Sequence, residues 1–275
     1  MKRLVKNFLI GTSIVVGAST MGAVPTYAAS LSGIQFDQAD HKTYNYNTIT
    51  DGDENAAINA LTDSDPFTNV ELGYSSEFQT ENKGFSGMLG GKSVSVETVT
   101  ADDWNVFGNQ WVTDFTTAYS QFTPFTDTIV QNIKQMGAMR FGDPNVGGFT
   151  FDENSGEYKL DLIGHHNVLN APYLQGTQEA MMASLLLGGN PLQMSEVAKV
   201  TIDGVVNYAY SFSATETGML AADAAANDTS SHTGLYSWTL AGEPIQSVPE
   251  PSSMLGLMAV SGLVTLSRRK SRNKA

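Results

Sequence analysis

The chain has 275 residues, 28 acidic against 15 basic side chains, a formal charge of −13 and no cysteine, which excludes disulfides, thiol catalysis and thiolate metal sites. Three bases (Lys2, Arg3, Lys6) stand at the start and five at the end, so the stretch between keeps seven bases against all 28 acids, near −21. Such a field repels nucleic-acid phosphates and anionic lipid, which excludes nucleic acid as a partner and leaves cations or neutral polymers.

Residues 1–28 have the layout of a secretory signal peptide: a basic start, an apolar run over 8–18 and the small-residue exit Thr26-Tyr27-Ala28. Signal peptidase is then a partner, with cleavage after Ala28. An exported acidic domain over 29–247 follows, long enough to bury a sizeable core. Its first part, 31–50, is polar with Phe36, Tyr44 and Tyr46 scattered through it, and reads as an edge strand or ordered lead-in. Residues 51–61 predict a short helix capped by Asp51 or Asp53. Segments 67–74 and 92–98 alternate as strands, with Gly84, Gly87, Gly90 and Gly91 expected to make the turn between them.

The best-patterned stretch comes next. Trp104, Phe107, Trp111, Phe115, Tyr119 and Phe122 recur every three or four residues, one face of a helix, with Thr100 and Asp103 in capping-box spacing at its start. Pro124 is expected to end it. A second helix from Thr126 should turn Ile129, Ile133 and Met136 inward before Gly137. Six aromatics on one face make a core stripe, with a sugar-stacking platform as the alternative.

Two hairpins follow. Residues 149–151 and 158–163 flank a turn holding Gly156, and 198–202 and 205–212 flank Asp203-Gly204, the strongest short hairpin signal in the chain. Between them, 178–187 predicts a helix capped by Thr177 and ended by Gly188-Gly189. A small-residue loop over 221–233 leads to a last strand at 235–240. The expected fold class is α+β: a single domain of antiparallel hairpins packed on the aromatic-rich amphipathic helix.

Few residues suggest chemistry. Asp51, Asp53 and Asn55 take positions one, three and five of a calcium-loop spacing, with Ile58 at the apolar eighth. Ala56 stands where the sharp-turn glycine belongs and Thr62 where the bidentate Glu belongs, so a solvated helix start is the competing reading; Asp63 and Asp65 would complete a non-standard calcium site. His165-His166 with Asp161 is a weak metal candidate, because adjacent residues on an extended segment point to opposite faces. His41 and His232 stand alone. Gly84-Phe-Ser-Gly87 only approaches a nucleophile elbow, and no catalytic residue is nominated. A concave pocket with converging carboxylates, or a His with an acid partner, would favour an enzyme; a flat surface would favour a non-enzymatic role.

The end of the chain, 248–275, has three parts. Val248-Pro249-Glu250-Pro251 comes first, then a largely apolar run from Met254 to Leu266, then Arg268, Arg269, Lys270, Arg272 and Lys274. The prolines confine a helix to 252–267, about 24 Å at 1.5 Å per residue, against a hydrocarbon core of roughly 30 Å. This is a short transmembrane anchor whose basic end stays cytoplasmic. The order of the three parts resembles the PEP-CTERM sorting signal of bacterial proteins handled by exosortases, whereas an ordinary single-pass anchor has no use for Pro-Glu-Pro. The resemblance implies an exosortase-type membrane peptidase as partner, processing around Pro249, Glu250 and Pro251, and delivery to the cell envelope, the surface or an extracellular polysaccharide matrix.

Met139-Arg-Phe-Gly-Asp-Pro-Asn-Val146, Leu162-Ile-Gly-His165 and Tyr208-Ala-Tyr-Ser-Phe212 further resemble a group of cyanobacterial PEP-CTERM proteins of unknown function, which brings no activity. The leading expectation is therefore a non-enzymatic exported protein without a cofactor. The alternatives are a calcium- or glycan-binding adhesion module and a secreted hydrolase.

Overall fold

The structure is a computed structural model that describes residues 28–45, 48–136, 141–219 and 230–242. The signal segment before Ala28, Tyr46, Gly137, most of the 221–233 loop and the whole tail from 243 lie outside the described residues, as do the side chains of Ile133 and Met136.

The chain enters through β1 (Ala28–Ser30) and β2 (Ser32–Phe36), which join different sheets although only Leu31 separates them. Next come β3 (His41–Asn45), β4 (Thr48–Asp51), helix α1 (Glu54–Thr62) and β5 (Asn69–Leu72). A hairpin of β6 (Gly84–Leu89) and β7 (Lys92–Glu97) leads to helix α2 (Ala101–Ala118), a 3-10 segment (Ser120–Phe125) and helix α3 (Thr126–Met136). The hairpin β8 (Asn145–Asp152) and β9 (Glu157–Gly164), helix α4 (Gln178–Leu186), and the hairpin β10 (Ala198–Ile202) and β11 (Val205–Ala209) follow. Strands β12 (Ala214–Glu216) and β13 (Gly234–Ala241) close the described chain.

One sheet runs β12-β13-β9-β8-β5-β3-β4, with β1 also paired to β8, and the other runs β11-β10-β7-β6-β2. Every pairing between these strands is antiparallel. The fold is thus α+β. Residues 31–50, expected as an edge strand or ordered lead-in, supply β2, β3 and most of β4, with β2 at the edge of one sheet and β4 at the edge of the other.

Turn chemistry explains much of the register. Asp203 at φ 46° and Gly204 at φ 78° both occupy the left-handed region, the requirement of a tight two-residue hairpin, and fix Ile202 opposite Val205. Of the four glycines expected to make a turn, only Gly90 and Gly91 do so. Gly84 and Gly87 lie inside β6, because a Cβ on Gly84 would sit 2.0 Å from the Val96 carbonyl oxygen and one on Gly87 2.9 Å from that of Ser32. They are there for close strand approach.

The main core lies between the sheets. Val94 and Val96 of β7, and Val200 and Ile202 of β10, alternate inward on one side; Phe149, Phe151, Leu160, Leu162, Tyr236 and Trp238 come from the other. Helix α1 adds Ala57, Ala60 and Leu61. The expectation that the sheet packs principally on the aromatic helix is therefore corrected: sheet packs on sheet, and α2 builds a second core.

That second core joins Trp104, Phe107, Trp111, Val112 and Phe115 to Val99, Val168, Leu187, Leu192 and Val197. Helix α2 starts at the capping box of Thr100 and Asp103 and ends at Ala118, with Tyr119 as its C-cap, before Pro124 is reached; Pro124 sits inside the 3-10 segment. Tyr119 and Phe122 are partly buried against the same cluster. On β11 the period of two serves both cores, Ala209 facing the sheets and Tyr208 stacking on Phe107 at 4.3 Å between ring centroids.

Two tyrosines fasten α2 to this strand and its continuation. Tyr208 Oη donates to Asp103 at 3.0 Å, and Tyr210 Oη to Asp114 at 2.7 Å. Burial raises the Asp103 carboxyl, but hydrogen bonds from Asn82 and Thr100 and the charge of Lys199 outweigh it and hold the group below its ordinary value. Its contribution to stability is present above the unfolded carboxylate range and is lost as pH falls through the folded value.

Candidate functional site

A cavity of about 230 Å³ opens beside the second core. Phe141, Val168 and Met194 form its apolar wall, and all three belong to or pack on that core. The polar wall comes from segments far apart in the chain. Tyr44 arrives on β3 and Glu71 on β5, where Tyr44 Oη donates to Glu71 Oε2 at 2.6 Å. Neighbouring antiparallel strands bring these side chains together across the sheet.

Asp143 and Asn145 enter where the chain begins β8, and His165 just past the end of β9. His165 Nδ1 lies 3.0 Å from Ser230 Oγ, and its carbonyl accepts from Tyr236 Oη. His232, only 3% exposed, sets its ring 4.6 Å from that of Tyr44, with Nδ1 3.0 Å from Ser231 Oγ. Glu196 is placed by its neighbour Val197, whose N–H donates to the Phe141 carbonyl at 3.2 Å.

The electrostatics centre on Glu196. Its Oε2 is buried without a hydrogen-bond partner. Burial pushes the carboxyl well above the ordinary carboxylate range, and the negative charges of Asp143, Glu77 and Glu71 push it the same way. A group raised in the folded state contributes stability that is fully present below its unfolded value and is lost as pH rises through the folded value. Glu196→Gln, which keeps the shape and removes the titration, should therefore raise the melting temperature at pH 7 and leave it unchanged at pH 4. Thermal denaturation across that range checks this; equal melting curves at both pH values would show that Glu196 bears no such burden.

Of the cavity residues, only His165 and His232 stand out in the sequence, and His232 is not isolated as expected, since it shares the cavity with His165. His166 turns elsewhere, its Nε2 2.8 Å from the Gln193 amide nitrogen, in keeping with adjacent residues having separate surroundings. The acids escaped sequence reading because nothing local marks them. One weak signal was available: Glu71 falls between Val70 and Leu72 in a buried strand.

The calcium-spaced residues have other tasks. Asp51 ends β4 and Asp53 is the N-cap of α1, its Oδ1 accepting from Ala56 N at 3.1 Å, while Asn55 sits in the first turn. Asp63 Oδ1 accepts from Asp65 N at 2.8 Å, and Asp65 Oδ1 from Phe67 N at 3.0 Å, the bonds of Asx turns. Among the described residues no group of three or more His, Asp or Glu side chains is arranged to hold a metal ion. Asp53→Ala should cost about 0.5–2 kcal/mol through loss of the cap, equally with and without millimolar calcium. A calcium-induced rise in melting temperature that this substitution abolished would instead make the loop a calcium site.

Ala28 is the first residue of β1 and pairs with Asp152. Pro249, Glu250, Pro251 and the basic residues Arg268, Arg269, Lys270 and Arg272 lie outside the described residues. So does the expected membrane helix, and among the described residues no helix is long and apolar enough to cross a membrane.

Comparison with known proteins finds one feature. Residues 247–272 match the family model of the PEP-CTERM protein-sorting motif. No curated protein and no solved structure matches the chain, so the second resemblance, carried by 139–146, 162–165 and 208–212, gains nothing from them. The motif implies an exosortase-type partner and supports sorting to the cell exterior.

Proposed function

From the sorting motif at 247–272, we propose that this chain is an exported, non-enzymatic protein of the cell surface or extracellular matrix, released from its tail by processing near Pro249, Glu250 and Pro251. One observation carries the reading. It is the sorting motif at 247–272, which follows a folded domain whose strand β13 ends at Ala241. The signal peptide delivers the domain across the membrane, and the short basic-ended helix holds it there until an exosortase-type peptidase acts. Mass spectrometry of the mature chain tests this, since both new termini report on processing.

The cavity favours a second reading, a secreted hydrolase. The surface is not flat, and a carboxyl whose proton affinity is raised by burial and by nearby acids is the kind of group that serves as a general acid in hydrolysis. Turnover of a chromogenic ester or glycoside that Glu196→Gln abolishes would select the hydrolase over the first reading.

A further inference from the structure

We propose that the cavity is a saccharide subsite, in which Glu196, Asp143 and Asn145 bind the hydroxyls of one sugar unit and the rings of Phe141 and Tyr173 cover its C–H face. The size fits. At roughly 30 Å³ per water the space equals about eight waters, room for one sugar ring and too small for an extended chain. The wall fits as well, since acids, an amide and two histidines alternate with aromatic rings, and a sugar presents hydroxyls at its edge and C–H bonds on its faces.

The key observation is the Glu196 oxygen. A buried oxygen without a hydrogen bond is costly to leave unmade, and here it lines a cavity where a ligand hydroxyl can reach it. Burial and the neighbouring acids favour the protonated form of this carboxyl, and in that form it offers a donor and an acceptor at once, the complement of a hydroxyl. A bare metal ion matches less well: the carboxylates are spread around the wall, and no three of the described acids and histidines converge on one point. Anionic ligands are opposed by the same acids.

The aromatic face of α2, the sequence's own candidate for sugar stacking, is excluded from this role by burial, and the stacking function moves to Phe141 and Tyr173. Tyr173 is 39% exposed at the rim. The subsite belongs to the folded domain alone, so it is present whether or not the tail is processed, and it serves binding and cleavage alike.

The experiment is saturation-transfer NMR on the full-length chain in detergent, with the methyl glycosides of glucose, galactose, mannose and xylose as probes. At least one should receive saturation on its ring C–H protons. Tyr173→Ala should weaken that glycoside roughly three- to tenfold through the lost ring contact. Glu196→Gln, which still donates and accepts, should keep binding, whereas Glu196→Met, similar in size and unable to do either, should lose at least tenfold while its melting curve shows the chain folded. Should Glu196→Met fail to fold, Tyr173→Ala decides alone. No transfer to any of the four glycosides, or binding unchanged by Tyr173→Ala and by a folded Glu196→Met, overturns the proposal. So does binding of calcium or 1,4-diaminobutane at the cavity when the glycosides do not bind.

Discussion

Phe115→Ala is expected to destabilise the domain by about 3–5 kcal/mol, the cost of emptying a large ring from a packed core. Phe115 is 5% exposed and stacks on Trp111 with ring planes 6° apart and centroids 5.4 Å apart. It also touches Tyr119, Phe122 and Phe212 at centroid distances of 5.4, 5.3 and 5.7 Å, so one truncation removes contacts to the helix, the 3-10 segment and the strand continuation together. Tyr119 is held in place, its Oη accepting from Gln193 N at 2.7 Å, which limits collapse into the hole. Urea denaturation gives the number. A loss below about 1 kcal/mol would mean that the ring is not in the core and would restore the stacking-platform alternative for α2.

The second large effect concerns the tail. The mature chain from a competent cell should lack 254–275, and removing Arg268, Arg269, Lys270, Arg272 and Lys274 should leave it poorly retained at the membrane and unprocessed. On the processing proposal, the short apolar run would hold the chain only while the basic end cannot cross, and Pro249 and Pro251 would keep the preceding segment open to a membrane peptidase. Replacing both prolines by alanine should therefore block release. Intact tail recovered from washed membranes at every growth stage, whether or not the prolines are present, would reduce the segment to an ordinary anchor and remove the basis for the processing proposal.

Sequence reading succeeds here wherever the determining interaction is local. The Thr100 and Asp103 box, the Asp53 and Thr177 caps and the Asp203-Gly204 turn act within three or four residues, and the structure shows each of them. The apolar period of α2 is local in the same sense, which is why its buried face was legible. Strands fared less well, because a strand is defined by a partner. Strand β6 reads locally as part of a glycine turn, since what Gly84 serves is the Val96 carbonyl on the next strand.

The sorting tail is the extreme local case. Its charge, apolar length and prolines are contiguous, so the sequence by itself determined that the chain carries the motif at 247–272, and no fold is needed to read it. Only the tertiary structure decided that sheet packs on sheet, that β11 divides its residues between two cores, and that Tyr44, Glu71, Asp143, His165, Glu196 and His232 share one cavity. These six come from separate segments brought together by antiparallel pairing and loop closure, and their chemistry arises from mutual burial and repulsion. A single carboxylate in a sequence carries no sign of either, since its proton affinity is set by neighbours that only the folded chain supplies.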